Sequence, residues 1–449
     1  MAAQFDLLIK NGTVVTSSAT VQADVAIANG TFAAIGAPGT LVGAAEEYDA
    51  RGQQVLPGVI DGHVHFREPG LEYKEDFESG SRAAVMGGVT TVLDMPNTRP
   101  PTASGELVRQ KQALAEAKAY CDIGIFGLLV GENLDQIGPM TDAGVVGFKC
   151  FLGETTGNIA APNDGVMLDA MRIIASLGLR IGFHAENNQI LQHQIRQLKA
   201  SGRTDALAHP ESRPAIAEVE SIQRMALFAR HSGARIHIFH LTSREGLAMV
   251  VEWRARGVDI TCETSAHYCF LSSELMRELG STMRINPPIR ETGHGEALLH
   301  GLIDGRIDAI ATDHAPHTRQ EKLNDDIWQA ISGFAGVEVS VPLFLTYAVN
   351  SGRMTLQQYV RVSSEGPAKT WNLYPRKGTI QVGSDADLTI VDLDRAGTID
   401  EATLHGKNDL TPFQGHRTRG AAVATILRGA IVMRNGELVG PPRGRVVRP

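Results

Sequence analysis

The chain has 449 residues, of which 43% are hydrophobic and 20% charged, and its formal net charge is -8. That length suits a barrel with a smaller companion better than one minimal domain, and the composition is that of an ordinary soluble globular protein. The negative balance, without any basic block, argues against nucleic acid or an anionic membrane as partner, and no apolar run approaches the roughly 20 residues that span a bilayer.

The opening MAAQFDLLIKNG has no basic stretch followed by an apolar core, so it does not read as a signal peptide. Residues 1–54 alternate like short antiparallel strands, with turns expected at Asn11-Gly12 and Asn29-Gly30. The same texture returns over residues 372–449, with a turn at Asn435-Gly436. Both ends together predict one small β-sandwich domain. Residues 55–371 instead repeat strand and helix. Strands are expected at 55–61, 89–95, 123–130, 145–152, 180–186, 235–242, 259–265 and 307–313, separated by helical stretches such as GELVRQKQALAEAKAY. Eight such units predict a TIM-like (β/α)8 barrel. An open doubly wound sheet would gather ligands at one switch point instead of along most strands.

Several of these strands end in residues that a buried strand has no structural reason to carry. The first delivers His63 and His65, which share a strand face and can reach one ion, although an HxH pair is also met as ordinary polar residues. Lys149 follows in GVVGFKCFL. It is either a core-edge lysine that snorkels or pairs, or a lysine converted by carbon dioxide to a carbamate able to bridge two ions. A free ammonium has no lone pair to give, whereas desolvation lowers its pKa and exposes the neutral amine. His184 and His240 end two further strands. Asp313, at the last, is either a cap for the next turn or a carboxylate that touches a metal and exchanges protons with water. His237, Asp61 and His267 read as structural, the last two with an orienting role as the alternative. Gly87-Gly88 and Gly333 read as turns. Neither a nucleophile elbow nor a Walker A motif is found. Cys121, Cys150, Cys262 and Cys269 form no CxxC pair, so reduced thiols in a cytoplasmic protein are expected.

Taken together, LPGVIDGHVHFREPG, AAVMGGVTTVLDMPNT, GFKCFL, HAEN, HLTS, NPPIR, TDHAPH and GSDADLTIVD resemble the cyclic amidohydrolases of the amidohydrolase superfamily over nearly the whole chain. The resemblance implies two divalent metal ions, zinc in most members. His63, His65 and Asp313 would hold the first and His184 and His240 the second. A carbon dioxide-derived carbamate on Lys149 would join them, and Asp313 would also carry the catalytic proton. It further implies a small-molecule cyclic amide substrate and a homo-oligomer, dimer or tetramer. Arg67, Asn97, Asn286 and His317 match the dihydroorotase pattern, in which they hold a ring carboxylate, and a guanidinium fork suits that group. The expectation is therefore a dihydroorotase that reversibly hydrolyses dihydroorotate to N-carbamoyl-aspartate in pyrimidine biosynthesis. Lys149 at the bridging position and the stretch ATLHGKNDLTPFQGHRTRGAAVATILRG look more like allantoinases and hydantoinases (dihydropyrimidinase type), which stand as the alternative. A non-catalytic homologue would normally have lost some of these ligands; here the set is whole.

Overall fold

In the computed structural model, residues 4–157 and 159–449 are described. Five strands open the chain: β1 (Phe5–Val15), β2 (Thr20–Ala28), β3 (Thr31–Gly36), β4 (Ala44–Asp49) and β5 (Gln54–Pro57). Eight follow: β6 (Val59–Val64), β7 (Val89–Asp94), β8 (Asp122–Leu128), β9 (Gly147–Phe151), β10 (Arg180–His184), β11 (Arg235–Ile238), β12 (Ile260–Thr264) and β13 (Ala309–Ile310). Four close it: β14 (Leu388–Thr398), β15 (Arg417–Leu427), β16 (Ala430–Arg434) and β17 (Glu437–Leu438).

The first and last groups form one nine-stranded sheet, in the order β17-β16-β15-β14-β5-β1-β2-β3 with β4 on β1. The two ends of the chain meet where β5 pairs antiparallel with β14, Val55 opposite Ile390. Alternate residues of these strands, among them Leu7, Ile9, Val25, Ile27, Ile390 and Ile426, enclose a core of their own.

The middle eight strands are parallel and lie in sequence order from β6 to β13. A bridge between Val64 and His314, with the His65 N–H donating to the His314 carbonyl at 2.8 Å, joins the ends of this sheet into a barrel. Asp61 fastens the same seam, accepting from the N–H groups of His63 (3.1 Å) and Thr312 (3.0 Å). Inside, Ile60, Leu93, Phe126, Val146, Phe239 and Trp371 form an apolar plug, with Phe239 stacked on Trp371. The mouth therefore has a dry floor.

The intervening helices form for local reasons. In Gly105–Lys118 the buried residues Val108, Lys111, Gln112 and Ala115 recur at helical spacing, and the Ser104 hydroxyl caps the start. Ala215–Ser232 stops at Gly233, which takes the left-handed conformation with φ 75°. Among the described residues, no helix is long and apolar enough to cross a membrane.

Two sequence expectations need correction. The run predicted as a strand over 55–61 is two strands, β5 in the terminal sheet and β6 in the barrel. Gly58 lies at the transfer, and the position requires glycine, because any Cβ there would lie 2.2 Å from the Thr90 hydroxyl oxygen. Asn11-Gly12 is not a hairpin turn but an irregularity within β1, where the register against β2 shifts between Ile9 and Gly12. Asn11 supports it with φ 62°, its N–H bonded to Asp24 and its amide to Asp49.

Candidate metal centre

The ends of the parallel strands bring His63, His65, Lys149, His184, His240 and Asp313 onto one cavity, together with Arg67, Asn97, Asn286, Thr155, Thr156 and Ser332. Asp313 Oδ1 lies 3.3 Å from His63 Nε2 and 3.2 Å from His65 Nε2. Across the cavity, His184 Nδ1 and His240 Nε2 are 3.0 Å apart. Lys149, fully buried on β9, points its amine at the face of Phe239, 3.8 Å from the ring centre.

Three of the four histidines are held by their other nitrogen, whereas His240 Nδ1 has no hydrogen-bond partner among the described residues. Glu263 Oε1 is 2.8 Å from His63 Nδ1, Asn97 Oδ1 is 2.8 Å from His65 Nδ1, and Glu186 Oε2 is 2.9 Å from His184 Nε2. These acceptors assign the proton to the outer nitrogen and leave the inner one with a lone pair toward the cavity. Arg67, His240 and Asp313 adopt left-handed φ values of 64°, 39° and 48°. Such backbone costs on the order of 1–3 kcal/mol per non-glycine residue, and here it is concentrated where side chains must be aimed.

The electrostatics follow from burial. It holds His63, His65 and His240 well below the ordinary imidazole value, so all three are neutral; the nearby cationic groups push the same way. Burial also draws the Lys149 amine down to about 7, against the opposing carboxylates of Asp313 and Glu263, and pushes Asp313 up to about 7 and Glu263 to about 8. Burial would raise Glu186 too, but Arg213 and His184 outweigh it and hold that carboxyl well below the usual range. Among the described residues, His63 Nε2 and Lys149 Nζ are buried without a hydrogen-bond partner. Neutral imidazoles, a carboxylate and an idle amine around one small cavity fit a divalent cation by donor chemistry.

The four residues expected to touch substrate divide into two pairs. Asn286 and Arg67 line the cavity. Asn97 lines it as well, but its amide is committed to His65 and to the Thr156 carbonyl at 3.3 Å. His317 is behind Arg67, with Nε2 3.0 Å from Arg67 Nη2 and from the Ser332 carbonyl, and Nδ1 3.0 Å from Lys74 Nζ. Sequence reading missed Glu263, Glu186 and Arg213. The glutamates had a signal, since each sits at a strand end inside a noticed motif (ETSAHY and HAEN); Arg213, between the helices Ala208–Ser212 and Ala215–Ser232, had none.

Residues 54–432 match the model of the amidohydrolase family, and the chain belongs to that family. It is an enzyme of the cyclic amidohydrolase type that its motifs resemble. It is similar to an allantoinase of Rubrobacter xylanophilus, 37% identical over 99% of this chain and 98% of that one. The solved structure of an L-hydantoinase (dihydropyrimidinase) from Arthrobacter aurescens superposes with a TM-score of 0.97 at 36% identity, covering 99% of this chain and all of the other. A dihydroorotase of Halobacterium salinarum is 41% identical but over a shorter span, 88% of this chain and 90% of its own.

These findings overturn the dihydroorotase expectation. The relatives matched end to end, in sequence and in structure, are allantoinases and hydantoinases. The premise was also too strong physically. Arg67 is buried, yet it has an acceptor within the protein: its Nε donates to the Pro316 carbonyl at 3.3 Å. A guanidinium so supported does not require a ring carboxylate.

Proposed function

We propose that this chain opens a cyclic ureide of the hydantoin or allantoin kind by hydrolysing one ring amide. The observation that carries the reading is the convergence of six buried donor side chains, from five strand ends, on one cavity beside Arg67 and Asn286. In this reading His63, His65 and Asp313 would hold one divalent ion and His184 and His240 a second, and Lys149, as a carbamate, would supply further oxygen donors. Zinc suits these nitrogen and oxygen donors. When bound, the ions supply a Lewis acid and a water of lowered pKa.

The chain supplies the rest. Water adds its oxygen to the ring carbonyl carbon, the carbon–nitrogen bond breaks, and hydantoin becomes an N-carbamoyl amino acid. Asp313 is the proton carrier, taking a proton on a carboxylate oxygen and returning it to the departing ring nitrogen. Asn286 and Arg67 orient the ring from the wall, Arg67 offering its remaining N–H groups to an exocyclic oxygen, either the ureido oxygen of allantoin or a side-chain carboxylate. Asn97 and His317 act one step back, through His65 and Arg67. Four free cysteines, three of them buried, support a reducing, cytoplasmic setting.

A substrate panel tests this. Zinc-loaded protein is offered hydantoin, allantoin, dihydrouracil and a hydantoin bearing a carboxymethyl group, and ring opening is followed chromatographically. Turnover of hydantoin or allantoin is expected. Fully loaded protein that leaves all four intact would sink the reading.

A further inference from the structure

Arg213 precedes helix Ala215–Ser232, is 3% exposed, and divides its N–H groups between two acceptors. Nε donates to both oxygens of Glu186, at 3.2 and 3.1 Å. Nη2 donates to the same carboxylate and also to the main-chain carbonyl of Glu154, at 2.8 Å. Glu186 in turn accepts from His184. Glu154 belongs to segment 152–157, whose Thr155 and Thr156 form part of the cavity wall. Gly153 of that segment packs directly on Glu186; a Cβ there would come within 2.8 Å of the Glu186 carbonyl oxygen.

A guanidinium is planar, and its fork satisfies a carboxylate and a carbonyl together in one orientation only. If the Glu186 carboxylate turns to follow the His184 ring, the guanidinium must follow, and the Glu154 carbonyl loses its donor. Displacement of the wall acts back along the same bonds. We infer that Arg213 is a positioning residue that couples the aim of His184 to the place of wall segment 152–157, so that affinity for the second ion and order in that wall rise and fall together. This rests on the two-ion reading above. Coupling of this kind is reciprocal: whatever tightens one end tightens the other.

The test starts from metal-free full-length protein in bicarbonate buffer, with zinc as the only metal. Bound zinc is titrated by equilibrium dialysis, and amide hydrogen exchange is read over 152–157 at each stage. In the unaltered protein, the second equivalent of zinc is expected to slow exchange in this segment beyond the effect of the first. Glu186→Gln should weaken the second ion by about 10- to 100-fold, and Arg213→Lys should weaken it and speed exchange in the segment as well. Asn188→Ala frees the Glu154 N–H from its 3.0 Å partner without touching Glu186; it should loosen the segment and, through the coupling, cost the second ion a smaller part of its affinity. Arg213→Lys with unaltered affinity and exchange, or with only one of them changed, overturns the coupling. Should Arg213→Lys not fold, the unaltered protein decides: no slowing with the second equivalent overturns it. Failure of the unaltered protein to take a second ion overturns the two-ion reading, and the coupling with it.

Discussion

Two clusters of buried ionisable groups sit at opposite ends of the barrel strands, and they are filled differently. Asp122 at the start of β8, with Asp385 and Asp387 ahead of β14, gathers three carboxylates as closely as His63, His65 and Asp313 gather at the mouth. In the lower cluster a protein cation is already in place. Lys377 Nζ lies 2.8 Å from Asp122, 3.1 Å from Asp385 and 2.5 Å from Asp387, and Arg428 also pairs with Asp122. Burial pulls the Lys377 amine down, but Asp387 and Asp122 outweigh it and hold the amine above the usual lysine range. At the mouth the lysine is idle: Lys149 makes no hydrogen bond among the described residues and rests on an aromatic face. Closeness of metal-type side chains therefore does not define a metal site. What separates the two is whether the protein has supplied its own cation.

The sharpest way to break this comparison is Lys149→Ala. Zinc content measured by atomic emission should fall and ring-opening activity should drop to background, with part of both restored by a short carboxylic acid that replaces the carbamate oxygens. A variant that stays fully loaded and active would put Lys149 in the same structural role as Lys377. Next in size is Asp313→Asn, expected to lower kcat by about 10²–10⁴-fold with the fold intact by circular dichroism; near-normal turnover would take the proton from Asp313. At the lower cluster, Lys377→Met leaves two buried carboxylates and the half-buried Asp385 without their lysine and should destabilise the protein by about 3–5 kcal/mol, seen as a lower melting temperature, with kcat of the folded protein unchanged. In metal-free protein, Lys149→Met should not lower the melting temperature. The smallest effect concerns pH. Because the Lys149 amine titrates near about 7, its neutral, carbon dioxide-accepting form predominates above that pH. Reconstitution with zinc and bicarbonate should therefore quicken as pH rises through neutrality and slow below it. A rate indifferent to bicarbonate at every pH would remove the carbamate.

Much of the architecture was legible because it is periodic. Strand runs alternating with helices of buried spacing such as Val108, Lys111, Gln112 and Ala115 imply parallel βα units whatever the side-chain details. Where the reading slipped, a tertiary contact overrode a local signal. The apolar run 55–61 carries one mark of division, Pro57-Gly58, which its hydrophobicity masks; the pairing of Val55 with Ile390 and of Asp61 with Val92 places its halves in different sheets. Asn11-Gly12 has the composition of a turn, but Asp24 and Asp49 recruit it into a bulge. At the site, the strand-end histidines, Lys149 and Asp313 stood out because their types are costly to bury without purpose. Arg213 did not, since an arginine in a polar loop is commonplace until its partners are known.

The succession of elements and the identity of the donors are already written in the order of residues, because hydrophobic period and residue chemistry are local properties of the chain. Which histidine nitrogens face inward, which lysine is already paired, and that Arg67 donates to Pro316 emerge only in three dimensions. Those are matters of distance between residues far apart in the chain, and through-space electrostatics and hydrogen-bond geometry exist only once the barrel has closed.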